Sequence, residues 1–322
     1  MNKPLLKVEN LSVGYSLKNE KISILENINF SVERGEVVGI VGESGCGKSL
    51  TSLSIMKLLV EPLSIQSGQI IFNGSDLTCL PEREMNQIRG KEVAMIFQEP
   101  MTSLNPVFTI GNQISEVMHT HLKINKKEVF ERTIELLRLV GIPSPEQRVR
   151  EYPYQLSGGM QQRVMIAMAL ACNPMLLIAD EPTTALDVTI QAQILDLLLD
   201  IQQKNKMSLF FITHDLSVLA RMANRVIVMY AGRVIESAPI SKLMENPLHP
   251  YTQGLLKAIP SYGNRKQRLY TIPGTVPDPK DKVVGCRFAS RCQYAEKRCF
   301  ESEPTLLEKE TDREIACFLY DE

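Results

Sequence analysis

Hydrophobic and polar positions alternate along the first forty residues, as in residues 6–9 and 28–32. A period of two predicts antiparallel strands with one buried face, joined here by a hairpin around Ser16–Lys21. The segment Val37–Val41 is instead continuously apolar, which is typical of a strand that is buried on both faces.

Helical periodicity begins after the buried strand. Residues 48–59 and 112–140 carry apolar positions at the spacing of an amphipathic helix. Further strand-length apolar runs lie at Met175–Ala179, Leu209–Thr213 and Arg225–Tyr230. The alternation of strands with helices predicts an α/β fold in which helices cover a parallel sheet.

The composition changes after Gly232. Residues 246–285 carry six prolines, which is too many for a regular element and predicts an extended tail. We therefore place the main boundary near residue 240, with one domain over residues 1–240 and a C-terminal extension over residues 241–322.

Bulk composition narrows the functional classes. The chain has 322 residues, of which 44% are hydrophobic, and 36 Lys and Arg stand against 37 Asp and Glu. The net charge of -1 lacks the basic excess that nucleic-acid binding leaves, so no nucleic-acid partner is expected. The chain has no apolar signal core at its start and no run of about 18 apolar residues, the least that a membrane-spanning helix needs. We expect a soluble protein that reaches a membrane only through a partner.

A glycine-rich segment at residues 42–49 fits the pattern G-x-x-x-x-G-K-[ST] between a buried strand and a helix. Its backbone amides would surround phosphate oxygens, with Lys48 on the β- and γ-phosphates and the Ser49 hydroxyl on Mg²⁺. A chance match arises in roughly one chain of this length in a hundred, and the strand–helix setting makes chance rarer still. The candidate nucleotide-binding residues are Gly42, Ser44, Gly45, Cys46, Gly47, Lys48, Ser49 and Leu50.

Two carboxylates end a buried strand at Asp180 and Glu181. Asp180 is placed to hold the Mg²⁺ shell, and Glu181 to act as the general base for the attacking water. Surface acids at a strand end are common by themselves. The phosphate-binding pattern upstream favours the catalytic interpretation.

The segment Leu156–Arg163 resembles the LSGGQ signature of ABC ATPases, although Met160 stands where that signature has glutamine. Its serine and glycines, Ser157, Gly158 and Gly159, begin a predicted helix whose amides suit a γ-phosphate. In that family they bind the ATP of a second subunit, so that ATP lies between two subunits. For this string taken alone, a serine–glycine helix cap without chemistry is the commoner explanation.

Further residues match the motifs of the same family. The resemblance implies that Tyr15 stacks on adenine, and that Gln98 senses Mg²⁺ and the attacking water and couples to membrane subunits. It also implies that Ala185-Leu186-Asp187 contacts the opposite subunit, and that His214 contacts the γ-phosphate. A lone histidine or tyrosine at such positions is otherwise commonplace in structural roles.

The family resemblance extends over essentially the whole chain. It implies a P-loop ABC ATPase cassette with a RecA-like core, an antiparallel β subdomain and a helical subdomain at about residues 106–170. The segments Asn246–Thr252 and Gln98–Pro106 are similar to those of oligopeptide, dipeptide and nickel importer ATPases.

Four of the seven cysteines lie close together near the C-terminus, at Cys286, Cys292, Cys299 and Cys317. A disulfide framework is not expected without a secretion signal, so the group is interpreted as metal ligands. Zinc sites use tighter spacing, and the wide spacing favours a [4Fe–4S] cluster. The arrangement resembles that of some peptide-importer ATPases, which have a [4Fe–4S] cluster at the same place. Zinc and a metal-free site both stay open. Neighbouring positive charges would offset the charge of a cluster, namely Arg287, Arg291 and Arg298.

The resemblance implies an ATPase subunit of a peptide importer at the cytoplasmic face of the cell membrane. Its implied partners are a second, different ATPase chain, two transmembrane permease subunits and an extracytoplasmic solute-binding protein. Its implied cofactors are ATP, Mg²⁺ and the [4Fe–4S] cluster. Nickel or another small solute would be a different cargo for the same machinery. An exporter ATPase, a soluble ABC ATPase acting on DNA or ribosomes, and an iron–sulfur redox or sensor protein are competing interpretations.

Overall fold

The structure is a computed structural model that describes residues 3–17, 20–184, 186–259, 270–281 and 283–321. These residues form two compact units. The first unit takes its described residues from 1–32, 37–78 and 212–322, and the second takes them from 33–36 and 79–211.

Strands and helices alternate through most of the described chain. The strands are β1 (Leu6–Leu17), β2 (Glu20–Val32), β3 (Val37–Val41), β4 (Ser64–Phe72), β5 (Ser75–Asp76), β6 (Val93–Ile96), β7 (Leu176–Asp180), β8 (Ser208–Ile212), β9 (Arg225–Tyr230), β10 (Arg233–Pro239), β11 (Leu307–Glu310) and β12 (Arg313–Ile315). The α-helices are α1 (Lys48–Ile55), α2 (Glu82–Ile88), α3 (Pro100–Ser103), α4 (Ile110–His121), α5 (Lys126–Leu139), α6 (Pro145–Arg148), α7 (Gly158–Leu170), α8 (Val188–Asn205), α9 (Leu216–Met222), α10 (Ile240–Glu245), α11 (Pro250–Ala258) and α12 (Lys297–Glu301). Short 3-10 helices cover Pro153–Gln155, Ala289–Arg291 and Phe318–Tyr320.

An antiparallel sheet in the first unit has the strand order β2-β1-β4-β5. Its apolar positions are buried, for example Leu6 and Val8 at 0% and 1% exposure, so the alternation in the sequence marks one covered face. The β1–β2 hairpin pairs Leu17 with Glu20. The predicted hairpin is confirmed.

A second sheet in the same unit has the strand order β11-β12-β10-β9-β3. Strands β3 and β9 are parallel, whereas β10 pairs antiparallel with both β9 and β12. The turn between β9 and β10 is Ala231-Gly232, with φ values of 44° and 79°. Positive φ at both central residues is what a two-residue type I′ hairpin turn requires. The C-terminal region therefore adds β12 and β11 to the sheet that carries β3.

The second unit contains the neighbouring strands β8, β7 and β6, of which β7 and β6 are parallel. All five residues of β7 and of β8 are buried, as the four consecutive apolar residues of each strand predict. The strand–helix alternation thus gives the α/β fold expected from the sequence.

The helix expected over residues 112–140 is two helices, α4 and α5, which the segment 122–125 separates. Asn125 begins the second helix, because its side chain accepts a hydrogen bond from the amide of Glu128 at 2.9 Å. An N-terminal cap of this kind satisfies a helix amide and interrupts a continuous helical pattern. The helix expected over residues 48–59 ends at Ile55, and Lys57 adopts a φ of 52°.

The prediction of an irregular tail over residues 246–285 is wrong for Pro250–Ala258, which is the helix α11. Pro250 occupies the first helical position, where its missing N–H removes no hydrogen bond. The described part of the C-terminal region belongs to the first unit, and the boundary near residue 240 stays a prediction. No helix among the described residues is long and apolar enough to cross a membrane.

Candidate nucleotide-binding and hydrolysis site

The phosphate-binding loop connects β3 to α1 in the first unit. A side chain at Gly42 would place its Cβ 2.3 Å from the Met229 carbonyl oxygen, so only glycine fits this close approach. Gly47 has a φ of 105°, a conformation that glycine adopts without strain. Helix α1 begins at the next residue, so the loop amides and the helix start form an anion-binding arrangement.

Lys48 lies against its own loop and is 5% exposed. Its Nζ donates hydrogen bonds to the carbonyl oxygens of Gly42 at 2.7 Å and Glu43 at 3.1 Å. The ammonium group is therefore held over the loop. Ser49 and Leu50 follow on α1 and are half-buried, while Ser44 and Gly45 are exposed.

Cys46 contacts the loop through both its backbone and its thiol, whose Sγ accepts from Lys48 Nζ at 3.9 Å. The side chain is fully buried, and burial raises the pKa of its thiol, although Lys48 opposes the shift. Its amide donates to the carbonyl oxygen of Glu43 at 3.3 Å. A buried, protonated thiol is a poor nucleophile, so the side chain fills space in the loop.

Tyr15 lies on β1 opposite Ile22 of β2 and is half-buried. A cavity of about 440 Å³ opens beside this hairpin and is lined by Ile22, by Gly45 of the phosphate-binding loop and by residues 277–281. The predicted adenine-stacking residue thus lies on the hairpin that borders the cavity, although Tyr15 itself does not line it.

His214 belongs to the first unit, where it follows Ile212, the last residue of β8, by two positions, and it is exposed. The preceding residue, Thr213, donates its amide to the carbonyl oxygen of Ile40 in β3 at 3.1 Å. The following residue, Asp215, caps α9 by accepting from the amide of Ser217 at 2.8 Å. These two attachments fix the backbone on both sides of the histidine.

Asp180 and Glu181 end β7 in the second unit. Asp180 is 5% exposed, whereas Glu181 is half-buried with a φ of 44°. A non-glycine residue in this left-handed region carries strain of about 1–2 kcal/mol, and such strain concentrates at functional sites. The Glu181 Oε2 accepts from Thr184 Oγ1 at 2.9 Å and from Gln98 Nε2 at 3.3 Å.

The signature segment begins α7, also in the second unit. Ser157 caps this helix by accepting from the amide of Met160 at 3.4 Å. Gly158 is exposed, and an added Cβ there would meet nothing within 4 Å, whereas one at Gly159 would lie 3.0 Å from Ile190. The helix start is therefore open to an incoming anion.

The glutamines that follow Met160 attach the signature helix to its surroundings. Gln161 Nε2 donates to the Pro153 carbonyl oxygen at 2.8 Å. Gln162 Nε2 donates at 2.6 Å to the carbonyl oxygen of Pro182, which is the residue after Glu181. The signature helix and the predicted catalytic carboxylate are thus linked within one unit.

Asp187 caps α8 by accepting from the amide of Ile190 at 2.9 Å. The residue is exposed, as a contact to another subunit requires. Ala185, in the same motif, lies outside the described residues.

The predicted site residues fall into two groups, each assembled within its own unit. The first unit holds Tyr15, His214 and the phosphate-binding loop. The second holds Gln98, the two carboxylates, the signature segment and Asp187. Thr184, whose hydroxyl fixes the Glu181 carboxylate, is a site residue that the sequence patterns did not predict. It follows the carboxylate by three residues, a spacing too common in loops to have predicted its role.

The four C-terminal cysteines line one cavity together with His249 and Phe288. Burial raises the pKa of both Cys286 and Cys317 to about 11. Among the described residues, no group of three or more His, Cys, Asp and Glu side chains is arranged to hold a metal ion. The structure therefore does not show the expected metal site, and the four thiols share only the lining of one cavity.

The three arginines expected to offset the charge of a cluster all have other partners. Arg287 pairs with Glu26, and Arg298 donates to the Phe318 carbonyl oxygen at 2.7 Å. Arg291 pairs with Glu43 of the phosphate-binding loop at 2.8 Å. Each guanidinium is neutralised or hydrogen-bonded within the protein.

Comparison with known proteins adds two family matches. Residues 25–184 match the family described as "ABC transporter". Residues 235–299 match the family described as "Oligopeptide/dipeptide transporter, C-terminal region". The second match covers most of β10, together with α10, α11 and three of the four clustered cysteines.

Similar proteins extend over nearly the full length. The oligopeptide transport ATP-binding protein AppD of Bacillus subtilis (strain 168) is 52% identical over 319 residues, covering 99% of this chain and 97% of that protein. The dipeptide transport ATP-binding protein DppD of Escherichia coli (strain K12) is 51% identical over 313 residues, covering 97% and 96%.

Solved structures of similar fold are ATP-binding cassettes. The cassette MJ0796, solved as a dimer in a post-hydrolysis state bound to ADP and Pi, has a TM-score of 0.66 and 29% identity, covering 73% of this chain and 98% of its own. The structure of cbiO1 from Clostridium perfringens has a TM-score of 0.65 and 27% identity, covering 76% and 92%. The chain therefore belongs to the oligopeptide and dipeptide transport ATP-binding proteins of the ABC transporter family.

Proposed function

We propose that this chain hydrolyses ATP to power the import of dipeptides or oligopeptides through an ABC transporter at the cytoplasmic face of a cell membrane. The observation that carries the proposal is the similarity over almost the entire chain to AppD and DppD. That similarity includes the C-terminal region, where residues 235–299 match the family described as "Oligopeptide/dipeptide transporter, C-terminal region".

Glu181 acts as the general base for the attacking water in this proposal. Its carboxylate is oriented by two donors, Thr184 and Gln98, and a base must be held within hydrogen-bonding reach of the proton that it removes. Lys48 and His214 stabilise the charge on the transferring phosphoryl group. The Lys48 ammonium is already held against the loop that would cradle the phosphates.

Mg²⁺ would be held by the Ser49 hydroxyl, the Asp180 carboxylate and the Gln98 amide, and would neutralise charge on the β- and γ-phosphates. Hydroxyl, carboxylate and amide oxygens are the hard ligands that this ion prefers. Asp180 is buried at the end of β7, so its carboxylate is fixed by the strand.

A second ATPase subunit completes the site. The start of α7, with Ser157, Gly158 and Gly159, offers backbone amides to an anion. Unlike the phosphate-binding loop with its Lys48, the signature segment has no lysine of its own to bind a γ-phosphate. The segment therefore serves the ATP of the second subunit, which we propose to be a different chain. Asp187 contacts that subunit.

Two permease subunits and a solute-binding protein outside the membrane are the remaining partners. Large apolar side chains near Gln98 in the sequence lie at the surface, with Phe97 39% exposed, Val107 70% and Phe108 49%. Exposed apolar groups beside a catalytic glutamine suit a contact through which hydrolysis is coupled to a membrane protein.

We also propose that the C-terminal thiols hold a [4Fe–4S] cluster. The support is the convergence of Cys286, Cys292, Cys299 and Cys317 on one cavity and the preference of iron–sulfur clusters for four thiolates. In this proposal the cluster stabilises the C-terminal region.

The transport proposal is tested with the complete transporter, formed by this chain and the adjacent transporter subunits, in proteoliposomes. Uptake of a labelled dipeptide and of a nickel chelate is measured with ATP supplied on the side of this subunit. ATP-dependent peptide uptake that is lost with Lys48→Ala supports the proposal. ATP-dependent uptake of nickel without peptide uptake would assign a different cargo, and no ATP-dependent uptake of either would reject peptide import.

A further inference from the structure

The second residue of the phosphate-binding loop, Glu43, is gripped by the C-terminal region. Arg291 donates from Nη1 to Glu43 Oε2 at 2.8 Å and from Nη2 to Oε1 at 3.0 Å. Such a bidentate pair fixes both the distance and the plane of the carboxylate. The two residues are 248 positions apart in the sequence, so the contact is a tertiary one.

Arg291 is itself held rigidly. Its side chain is 5% exposed, and its Nε donates to the Pro273 carbonyl oxygen at 2.8 Å. Further bonds go to the Tyr230 hydroxyl at 3.2 Å and the Ile272 carbonyl oxygen at 3.3 Å. With the two bonds to Glu43, the planar donor set of the guanidinium is used in full.

A second contact holds the backbone of the same loop residue. The Glu43 amide donates to the hydroxyl of Tyr251 at 2.8 Å. Tyr251 lies on α11, is fully buried and meets Tyr230 and Phe288 edge-on, at centroid distances of 4.7 Å and 5.4 Å. Burial raises the pKa of this tyrosine, so its hydroxyl stays neutral and in place.

Glu43 connects the C-terminal region to the phosphate-binding lysine, Lys48. The Glu43 carbonyl oxygen accepts from Lys48 Nζ at 3.1 Å and from the Cys46 amide at 3.3 Å. Its amide, carboxylate and carbonyl are therefore all engaged, two of them by the C-terminal region. Movement of Glu43 would displace the loop that Lys48 lies against.

We propose that Arg291 and Tyr251 are positioning residues for ATP, which preorganise the phosphate-binding loop from the C-terminal region by holding Glu43. This inference rests on the proposed role of the loop in binding ATP. Preorganisation removes the cost of ordering a loop when the ligand binds. The loop contacts the phosphates in both the ground state and the transition state. Loss of its preorganisation therefore raises KM and the Kd of ATP more than it lowers kcat.

If Arg291 instead offset the charge of a metal cluster, Arg298→Met would change the KM of ATP as much as Arg291→Met does. Arg291 precedes Cys292 just as Arg298 precedes Cys299. Arg298 pairs with Glu296 at 3.1 Å and is 46% exposed, and its hydrogen bond to Phe318 stays within the C-terminal region. Arg298→Met is therefore the matched control.

The experiment measures KM and kcat of ATP hydrolysis, and the Kd of a fluorescent ATP analogue, in the assembled transporter. For Arg291→Met, KM and Kd are expected to rise about tenfold, the effect of losing roughly one strong interaction, while kcat changes by less than about threefold. Tyr251→Phe removes only the hydroxyl and raises KM by a smaller factor. Arg298→Met leaves KM unchanged.

A double-variant cycle separates positioning from general destabilisation. Arg291→Met and Glu43→Gln are expected to raise KM by similar factors, and the double variant no further, because both remove one contact. If Arg291→Met does not assemble, Glu43→Gln and Tyr251→Phe carry the same test. Unchanged KM in these variants, or an equal change in Arg298→Met, would overturn the inference. A wild-type complex that does not hydrolyse ATP would instead reject the proposed function.

Discussion

Gln98 donates a hydrogen bond from its Nε2 to the Oε2 of Glu181 at 3.3 Å, across 83 residues of sequence. Thr184 donates its hydroxyl to the same oxygen at 2.9 Å. Two donors from different segments of the second unit thus determine where the Glu181 carboxylate points, and the left-handed backbone of Glu181 brings it there.

Removing the Gln98 donor is expected to reduce kcat. In Gln98→Ala the carboxylate loses the Gln98 contact that orients it, and misplacement of a base by about 1 Å costs on the order of 100-fold in rate. The Kd of ATP, measured without Mg²⁺ because Gln98 is also a proposed Mg²⁺ ligand, should change by less than about threefold. Single-turnover hydrolysis and ATP titration measure the two quantities, and a variant with unchanged kcat would show that the contact does not position the base.

Thr184→Val tests the second donor with almost no change in volume. We expect a drop in kcat of at least about tenfold, because a hydrogen bond to a charged group contributes about 1.5–3 kcal/mol and about 1.4 kcal/mol corresponds to a factor of ten in rate. Thr133→Val is the control, because Thr133 is also in the second unit and its hydroxyl bonds the Val129 carbonyl oxygen at 2.8 Å, within α5. Equal kcat values for the two variants would contradict the role of Thr184.

Ser157→Ala separates a helix cap from a nucleotide contact. Loss of the cap on α7 should lower the free energy of unfolding by about 1 kcal/mol, and Asn125→Ala, which removes the cap of α5, should do the same. Only Ser157→Ala is expected to reduce ATP hydrolysis in the assembled transporter. Loss of hydrolysis in both variants, or in neither, would reduce Ser157 to a structural cap.

Local sequence predicts which functional groups this site contains better than it predicts how those groups are arranged. The loop at residues 42–49 and the pair Asp180-Glu181 are readable because strand, turn and functional group are contiguous in the chain. The bond from Gln98 to Glu181 depends on a fold that brings distant segments together, and the family resemblance implied only that both belong to one mechanism. Thr184 has a polar side chain that many loops carry, so its spacing from Glu181 is too common to predict a role.

The C-terminal region is further attached to the sheet by a buried ion pair. Arg313 of β12 and Glu236 of β10 are 3.0 Å apart, with side chains 2% and 0% exposed. The Glu236 carboxylate also accepts from the amides of Leu248 and His249 at 3.0 Å and 2.9 Å. One carboxylate therefore connects β10, β12 and the segment that precedes α11.

Arg313→Met is expected to lower the free energy of unfolding by about 3–5 kcal/mol, because it leaves a buried carboxylate without its cation. Lys242→Met is the control: Lys242 is 42% exposed and 3.9 Å from Glu310, a surface pair worth at most about 1 kcal/mol. Urea denaturation followed by circular dichroism measures both. Equal midpoints for the two variants would contradict the anchoring role of Arg313.

The C-terminal region also shows where proline counts mislead. Six prolines in residues 246–285 indicated an irregular tail, yet Pro250 begins α11 and His249 caps it by accepting from the Tyr251 amide at 3.0 Å. A proline at the first position of a helix and a proline in a loop contribute equally to a count of prolines. Its helical role is visible only once the cap and the buried face are known.

Iron content tests the proposed cluster. Anaerobically purified protein is expected to carry about four irons per chain, with an absorption band from thiolate-to-iron charge transfer. Cys292→Ser should lose the iron, whereas Cys79→Ser, which changes an exposed cysteine outside the group, should retain it. Colourless wild-type protein without iron would contradict the cluster proposal and leave the ATP site unaffected.

The central claim, that Glu181 drives ATP hydrolysis in a transport ATPase, is tested most directly by Glu181→Gln in the assembled transporter. Glutamine keeps the size of the side chain but cannot accept the proton of the attacking water. ATP hydrolysis should fall by at least about 100-fold, the lower range of general-base contributions, while ATP still binds with a Kd close to that of the wild type. Turnover that survives the substitution would contradict the assignment of the base and the mechanism built on it.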